Sequence, residues 1–130
     1  MVEPVIPSEV LSRFIMQMNW FRPSDNRVKY AAFMPNPKNG ETSVFRISGI
    51  SDREVWEIGD REVGLKRDKP VLGRADIGAS FVITKGLNVM PSEPPVRHAN
   101  IVGWPEEKSE QRLVALELAA EAISYKKWGL

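Results

Sequence analysis

Residues 106–126 read EEKSEQRLVALELAAEAISYK. Ala, Leu and Glu dominate this run, and all three are good helix formers. Pro105 stands where a first helical turn tolerates it. The spacing therefore predicts one long helix from Glu106 to Lys126. At about 100° per residue, Leu113, Leu116, Ala120 and Ile123 fall on one apolar ridge. Ala115, Leu118, Ala119 and Ala122 make a second, flatter ridge, and Glu110, Glu117, Glu121 and Ser124 line the opposite side. Such a helix is expected to pack over a broad surface, with Leu113, Leu116 and Ile123 turned into the fold and the Ala-rich ridge allowing close approach to a sheet or another helix.

Upstream of this helix the periodicity shortens. Ala75, Ile77, Ala79, Phe81 and Ile83 alternate strictly, which predicts a half-buried strand. Gly86 permits a turn. Leu87–Met90 and Val96–Val102 follow as short strands, separated by a connection carrying Pro91, Pro94 and Pro95 that cannot be helical. Glu62–Gly73 is polar and contains Pro70, so it reads as a loop. Ser51-Asp52-Arg53-Glu54 is a capping box ahead of Val55, Trp56 and Ile58. It predicts a helix from Ser51, ended by Gly59 or Gly64.

In the first third, Val28, Tyr30, Ala32 and Met34 share a face at period two, predicting a strand over Arg27–Met34. Pro35–Gly40, with Asn39-Gly40 at its tip, reads as the turn of a hairpin whose return strand is Thr42–Ser48. Arg22–Asn26 is a turn. Ser8 caps a short helix over Glu9–Gln17 that buries Val10, Phe14 and Leu11. The resulting order is α-β-β-α-β-β-β-α. It describes a single α+β domain spanning residues 1–130, with an antiparallel or mixed sheet of about five strands packed against two or three helices.

Composition narrows the function classes. The 130 residues carry 18 Lys and Arg against 17 Asp and Glu, so the net charge is +1. That charge is spread evenly along the chain, whereas proteins that track phosphate backbones concentrate it on one face. Nucleic acid is therefore not an expected partner. Lys66, Arg67 and Lys69 form only a small basic cluster. No apolar run approaches the roughly 18 residues of a membrane span. The acidic, Pro-broken start, Met1–Ser8, does not resemble a signal peptide. A soluble, cytoplasmic protein is the expectation. With no Cys and one His, the chain offers no conventional zinc set, disulfide or thiolate, and no cofactor is expected. The phosphate-binding glycine fingerprints and the serine-hydrolase elbow are absent.

The candidate site residues are consequently few. His98 is a possible general acid or base, and Asn100 shares its strand face. Arg46 and Arg74 interrupt apolar strand patterns, where a guanidinium can fork onto an anion. The plainer alternative pairs Arg74 with Asp76. Trp20, Phe21 and Trp104 sit in connections and are candidate anchors for a partner. Two readings follow. The first is a non-catalytic interaction or ligand-binding domain, its partner a protein or a small anionic ligand. The second is a small enzyme or phosphate-ligand binder in which His98 transfers protons while Arg46 and Arg74 hold the anion. Convergence of His98, Asn100, Arg46 and Arg74 in one concavity is the geometry that separates them. Oligomeric state is not legible in the sequence.

Overall fold

A computed structural model describes residues 2–127. Six strands form one antiparallel sheet: β1 (Val10–Ile15), β2 (Thr42–Arg46), β3 (Gly73–Gly78), β4 (Asn88–Pro91), β5 (His98–Val102) and β6 (Ile123–Lys126). Their order across the sheet is β4-β5-β2-β1-β3-β6, and every pairing is antiparallel. The helices are α1 (Asp52–Gly59), the single turn α2 (Leu65–Arg67), α3 (Ala79–Thr84) and α4 (Lys108–Glu121). The α+β class read from the sequence is the class observed.

Both faces of the sheet are covered. On one side Leu11, Ile15, Val44, Ala75, Ile77, Ala99 and Ile101 cluster with Val82 of α3 and with Ala115, Leu118 and Ala119 of α4. On the other, Phe14, Phe45 and Ile47 meet Val55 and Ile58 of α1, together with Val71. This double coverage explains why Glu9–Gln17 is not the helix its sequence predicts. A central strand buried on both faces loses its alternation and reads as a solid apolar run. Leu11 and Ile15 face one layer while Phe14 faces the other.

The capping box behaves as expected, with the Ser51 hydroxyl accepting from the Glu54 amide at 3.2 Å. The helix does not stop at Gly59 or Gly64. It widens through a five-residue π turn, Asp60–Gly64, and ends after α2, where Asp68 takes a left-handed conformation. The stretch read as a loop from Glu62 is thus helical as far as Arg67.

Three other expectations are corrected. Arg27–Met34 is not a strand. Only Val28 bridges, to Phe21, and Tyr30–Ala32 is a 3-10 turn against which the Arg112 guanidinium of α4 stacks, 5.5 Å from the Tyr30 ring. The Pro35–Gly40 turn forms, closed by Gly40 N–H donating to the Asn36 carbonyl at 2.7 Å, and Gly40 adopts the positive φ of 70° that its position requires. It joins that 3-10 turn to β2 rather than joining two strands. The alternating segment 75–83 breaks at Gly78, and Ala79 onward is α3. The Ala79 and Ser80 amides donate to the Glu9 and Pro7 carbonyls, which satisfies donors that a helix start leaves open.

The last expected helix is shorter than its sequence pattern. It ends at Glu121, Ala122 is extended, and Ile123–Lys126 pair with β3 as an edge strand. Of the two ridges expected to pack, only the Ala-rich one does. Ala115 and Leu118 are fully buried, whereas Leu113 is 63% and Leu116 46% exposed, and Ile123 on β6 is 60% exposed. The small Ala side chains let the helix backbone approach closely, and Leu118 fills the remaining gap.

Candidate binding cleft

The four residues expected to converge do not meet. His98 and Asn100 share a face of β5, opposite Phe45 and Ser43 of β2. Arg46 alternates with Phe45 and turns the other way. Its Nε and Nη2 donate to the Glu9 carboxylate at 2.7 and 2.8 Å, and its Nη1 and Nη2 also reach the Glu3 and Pro4 carbonyls. That guanidinium is consumed in tying the N-terminal segment to the sheet. Arg74 lies on β3, three strand spacings or about 14 Å across the sheet from β5. It is buried, pairing with Asp52 at 2.8 Å and Asp76 at 3.3 Å, and so follows the plainer reading.

The aromatic anchors also separate. Phe21 is buried at 3% exposure and lies against Gly73, so it is a core residue and not a surface anchor. Trp104 is half-buried at the end of β5, its indole N–H donating to the Ile101 carbonyl at 3.2 Å. Trp20 is half-buried and borders a cleft that Trp104 does not line.

That cleft arises from a fork in the sheet. β1 and β2 pair only at Leu11 with Arg46 and at Ser12 with Phe45. Beyond these positions the strands part, and the Arg13 side chain fills the gap. Its Nε donates to the Ala32 carbonyl at 2.8 Å and its Nη1 to the Ser43 carbonyl at 3.0 Å. The guanidinium stacks 5.7 Å from the centre of the Trp20 ring. Burial, with a smaller contribution from the nearby Arg67 charge, pushes its pKa down to about 10. It therefore remains a cation at neutral pH, yet no carboxylate pairs with it among the described residues.

Around this cation is a cleft of about 360 Å³. Arg13, Trp20, Ser43, Arg67 and Asn100 contribute to its lining, and among the described residues Glu41 is its one acidic member. Arg67, on α2, is exposed and likewise forms no ion pair among the described residues. A half-buried cation without a counter-charge carries a desolvation cost that a bound anion would relieve. A flat indole beside two guanidinium groups and a carboxamide suits a ligand with one anionic end and one apolar or aromatic part.

His98 does not line the cleft itself but is fixed beside Ser43, which does. Its Nδ1 lies 2.9 Å from the Ser92 carbonyl oxygen and its Nε2 lies 2.6 Å from the Ser43 hydroxyl. Its ring packs edge-on against Phe45, with centroids 5.3 Å apart. Among the described residues no three His, Cys, Asp or Glu side chains gather as a metal set, and no helix is long and apolar enough to cross a membrane.

Arg13, Ser43 and Arg67 were not candidates from sequence. Arg13 carries the same signal that marked Arg46 and Arg74, a charge inside an apolar run. Reading residues 9–17 as a helix moved it to an outer face and hid that signal. Comparison with protein families, characterised proteins and solved structures finds no match for the chain.

Proposed function

We propose that the protein is a ligand-binding domain that takes a small anionic ligand, a phosphate or carboxylate ester, in the cleft at the β1–β2 fork. The observation that carries this reading is Arg13, a cation among protein atoms whose hydrogen bonds go to the Ala32 and Ser43 carbonyls and not to a carboxylate. Arg67 adds a second positive charge at the mouth, Asn100 a carboxamide, and Trp20 a stacking surface. An anion seated here gains charge-assisted hydrogen bonds in a partly desolvated setting. The arrangement with His98 between Arg46 and Arg74 is not favoured, because both of those guanidinium groups are engaged elsewhere.

A thermal-shift screen with inorganic phosphate, sugar phosphates, nucleotides and citrate tests the reading. A ligand at a hundred times its dissociation constant stabilises the fold by about 2.7 kcal/mol. That shift should shrink in Arg67→Ala and Asn100→Ala proteins, whose substitutions leave the core intact. No anion-dependent shift, or one that both variants retain in full, would refute this assignment.

A further inference from the structure

The geometry points to Ser43 as a nucleophile activated by His98, which makes the cleft a site of acyl transfer from esters bearing a phosphate or carboxylate. The anionic end of the substrate rests on the binding reading above; the reactive pair does not.

The tautomer follows from the partners. The Ser92 oxygen is a carbonyl and can only accept, so the proton of His98 is on Nδ1, donated across 2.9 Å. Nε2 then presents a lone pair to the Ser43 hydroxyl, which donates to it across 2.6 Å. A hydroxyl held by an imidazole, itself oriented by a third group, is the arrangement that nucleophilic catalysis needs. Ser43 lines the cleft, the side from which a ligand would approach it. Asn100 is the direct cross-strand neighbour of Ser43, at a distance from which its carboxamide can reach the same reacting centre. It makes no side-chain hydrogen bond among the described residues.

A second observation comes from the backbone. Arg97, immediately before His98, has φ of 72°, a conformation costing an L residue about 1–2 kcal/mol. The Glu93 carboxylate holds its amide at 2.8 Å, and its carbonyl accepts from the Arg46 amide. Strain of this kind persists only where surrounding contacts over-determine it. Here it falls on the residue that precedes the imidazole paired with Ser43.

In the step proposed, Ser43 Oγ attacks the ester carbonyl carbon while its proton passes to His98 Nε2. The tetrahedral oxygen takes up the carbonyl electron pair and is met by the Asn100 carboxamide. That pair then returns, the bond from carbon to the leaving oxygen breaks, and the imidazolium protonates the departing alcohol. The acyl group remains on Ser43 until water, deprotonated by the same imidazole, attacks its carbonyl carbon; the bond from that carbon to Ser43 Oγ then breaks, the imidazolium returns the proton to Oγ, and the acyl group leaves as a carboxylic acid.

The full chain treated with a fluorophosphonate reports the pair directly, because attack by Ser43 expels fluoride and leaves a stable phosphonyl ester. The expected result is one adduct, located at Ser43 by peptide mass spectrometry. It should be absent in Ser43→Ala and form at least about 100-fold more slowly in His98→Gln. No adduct, an adduct elsewhere, or Ser43 labelling indifferent to His98→Gln would overturn the assignment. Inorganic phosphate as a competitor separates the two ideas. Labelling that phosphate slows supports both, and labelling that phosphate leaves unchanged keeps the reactive pair and removes the anion site. A thermal shift with phosphate in a protein that never labels does the reverse.

Discussion

Arg74 shows how costly one side chain can be and still be kept. Its guanidinium lies between the rings of Trp56 and Tyr125, 4.8 and 5.0 Å from their centres, and only Nη2 finds carboxylates. Nε and Nη1 have no hydrogen-bond partner among the described residues. Aromatic faces attract the charge but do not replace those acceptors. Asp76, beside it, has its carboxyl raised by burial, an effect opposed by the Ser12 hydroxyl at 2.7 Å and by Arg74 itself. Arg74→Met should therefore destabilise the fold by about 3–5 kcal/mol, because it strands Asp76. Adding Asp76→Asn should recover most of that loss in urea denaturation. A double variant as unstable as the single one would show that the aromatic sandwich, not the charge pair, carries the energy. The pair Arg46–Glu9 behaves differently with pH. The hydrogen bonds from Arg46 hold the Glu9 carboxyl below its usual 4.5, so its contribution is present above that value and is lost as pH falls through the lowered one. Proteolysis within residues 2–9 should accelerate on acidification below about pH 4.5. In Glu9→Gln that acid-dependent component should vanish; a variant that keeps the full acid response would assign it to another group.

At the level of elements, legibility followed local chemistry. The Ser51 cap, the Asn-Gly turn and the two short strands around residues 88–102 were readable because their signals lie within a few residues of the structure they specify. The segments misread are those where distant contacts decide. Residues 9–17 match a helix until α1 and α4 cover both faces of β1. Residues 27–34 alternate correctly for a strand but have no partner beyond Val28. The candidate cleft was invisible for the same reason, since its charge comes from a fork between strands 30 residues apart, where Arg13 reaches Ser43. One glycine records how tightly such contacts fit. A Cβ on Gly73 would stand 2.4 Å from the Phe21 ring and 2.5 Å from the backbone oxygen of Tyr125. The second clash is with an adjacent strand and cannot be relieved by a rotamer change. Gly73→Ala should cost about 1–3 kcal/mol and loosen the β3–β6 pairing, seen as faster amide exchange across Ile123–Lys126. Wild-type exchange in the variant would mean that β6 does not hold that register.

For the whole molecule the orientation of α4 is the decisive quantity, because it fixes what covers the sheet. The sequence offers two ridges and predicts that both pack, Leu113 and Leu116 among the buried side chains. The fold selects the ridge of Ala115, Leu118 and Ala119, since area buried depends on how close the backbone comes as well as on how large the side chains are. Two alanines permit an approach that a leucine ridge would prevent, and the sheet face below presents small side chains of its own, Ala75 and Ala99. The two orientations make opposite forecasts. In the observed one, Leu118→Ala opens a cavity in the main core and should cost about 2–5 kcal/mol. Leu113→Gln, on the solvent side, should change stability by no more than about 0.5 kcal/mol. Urea midpoints for the two variants suffice to compare them. A larger loss for Leu113→Gln than for Leu118→Ala would mean that the helix is turned about its axis, and the Tyr30–Ala32 turn on which it rests, together with the cleft wall that turn supports, would have to be rebuilt.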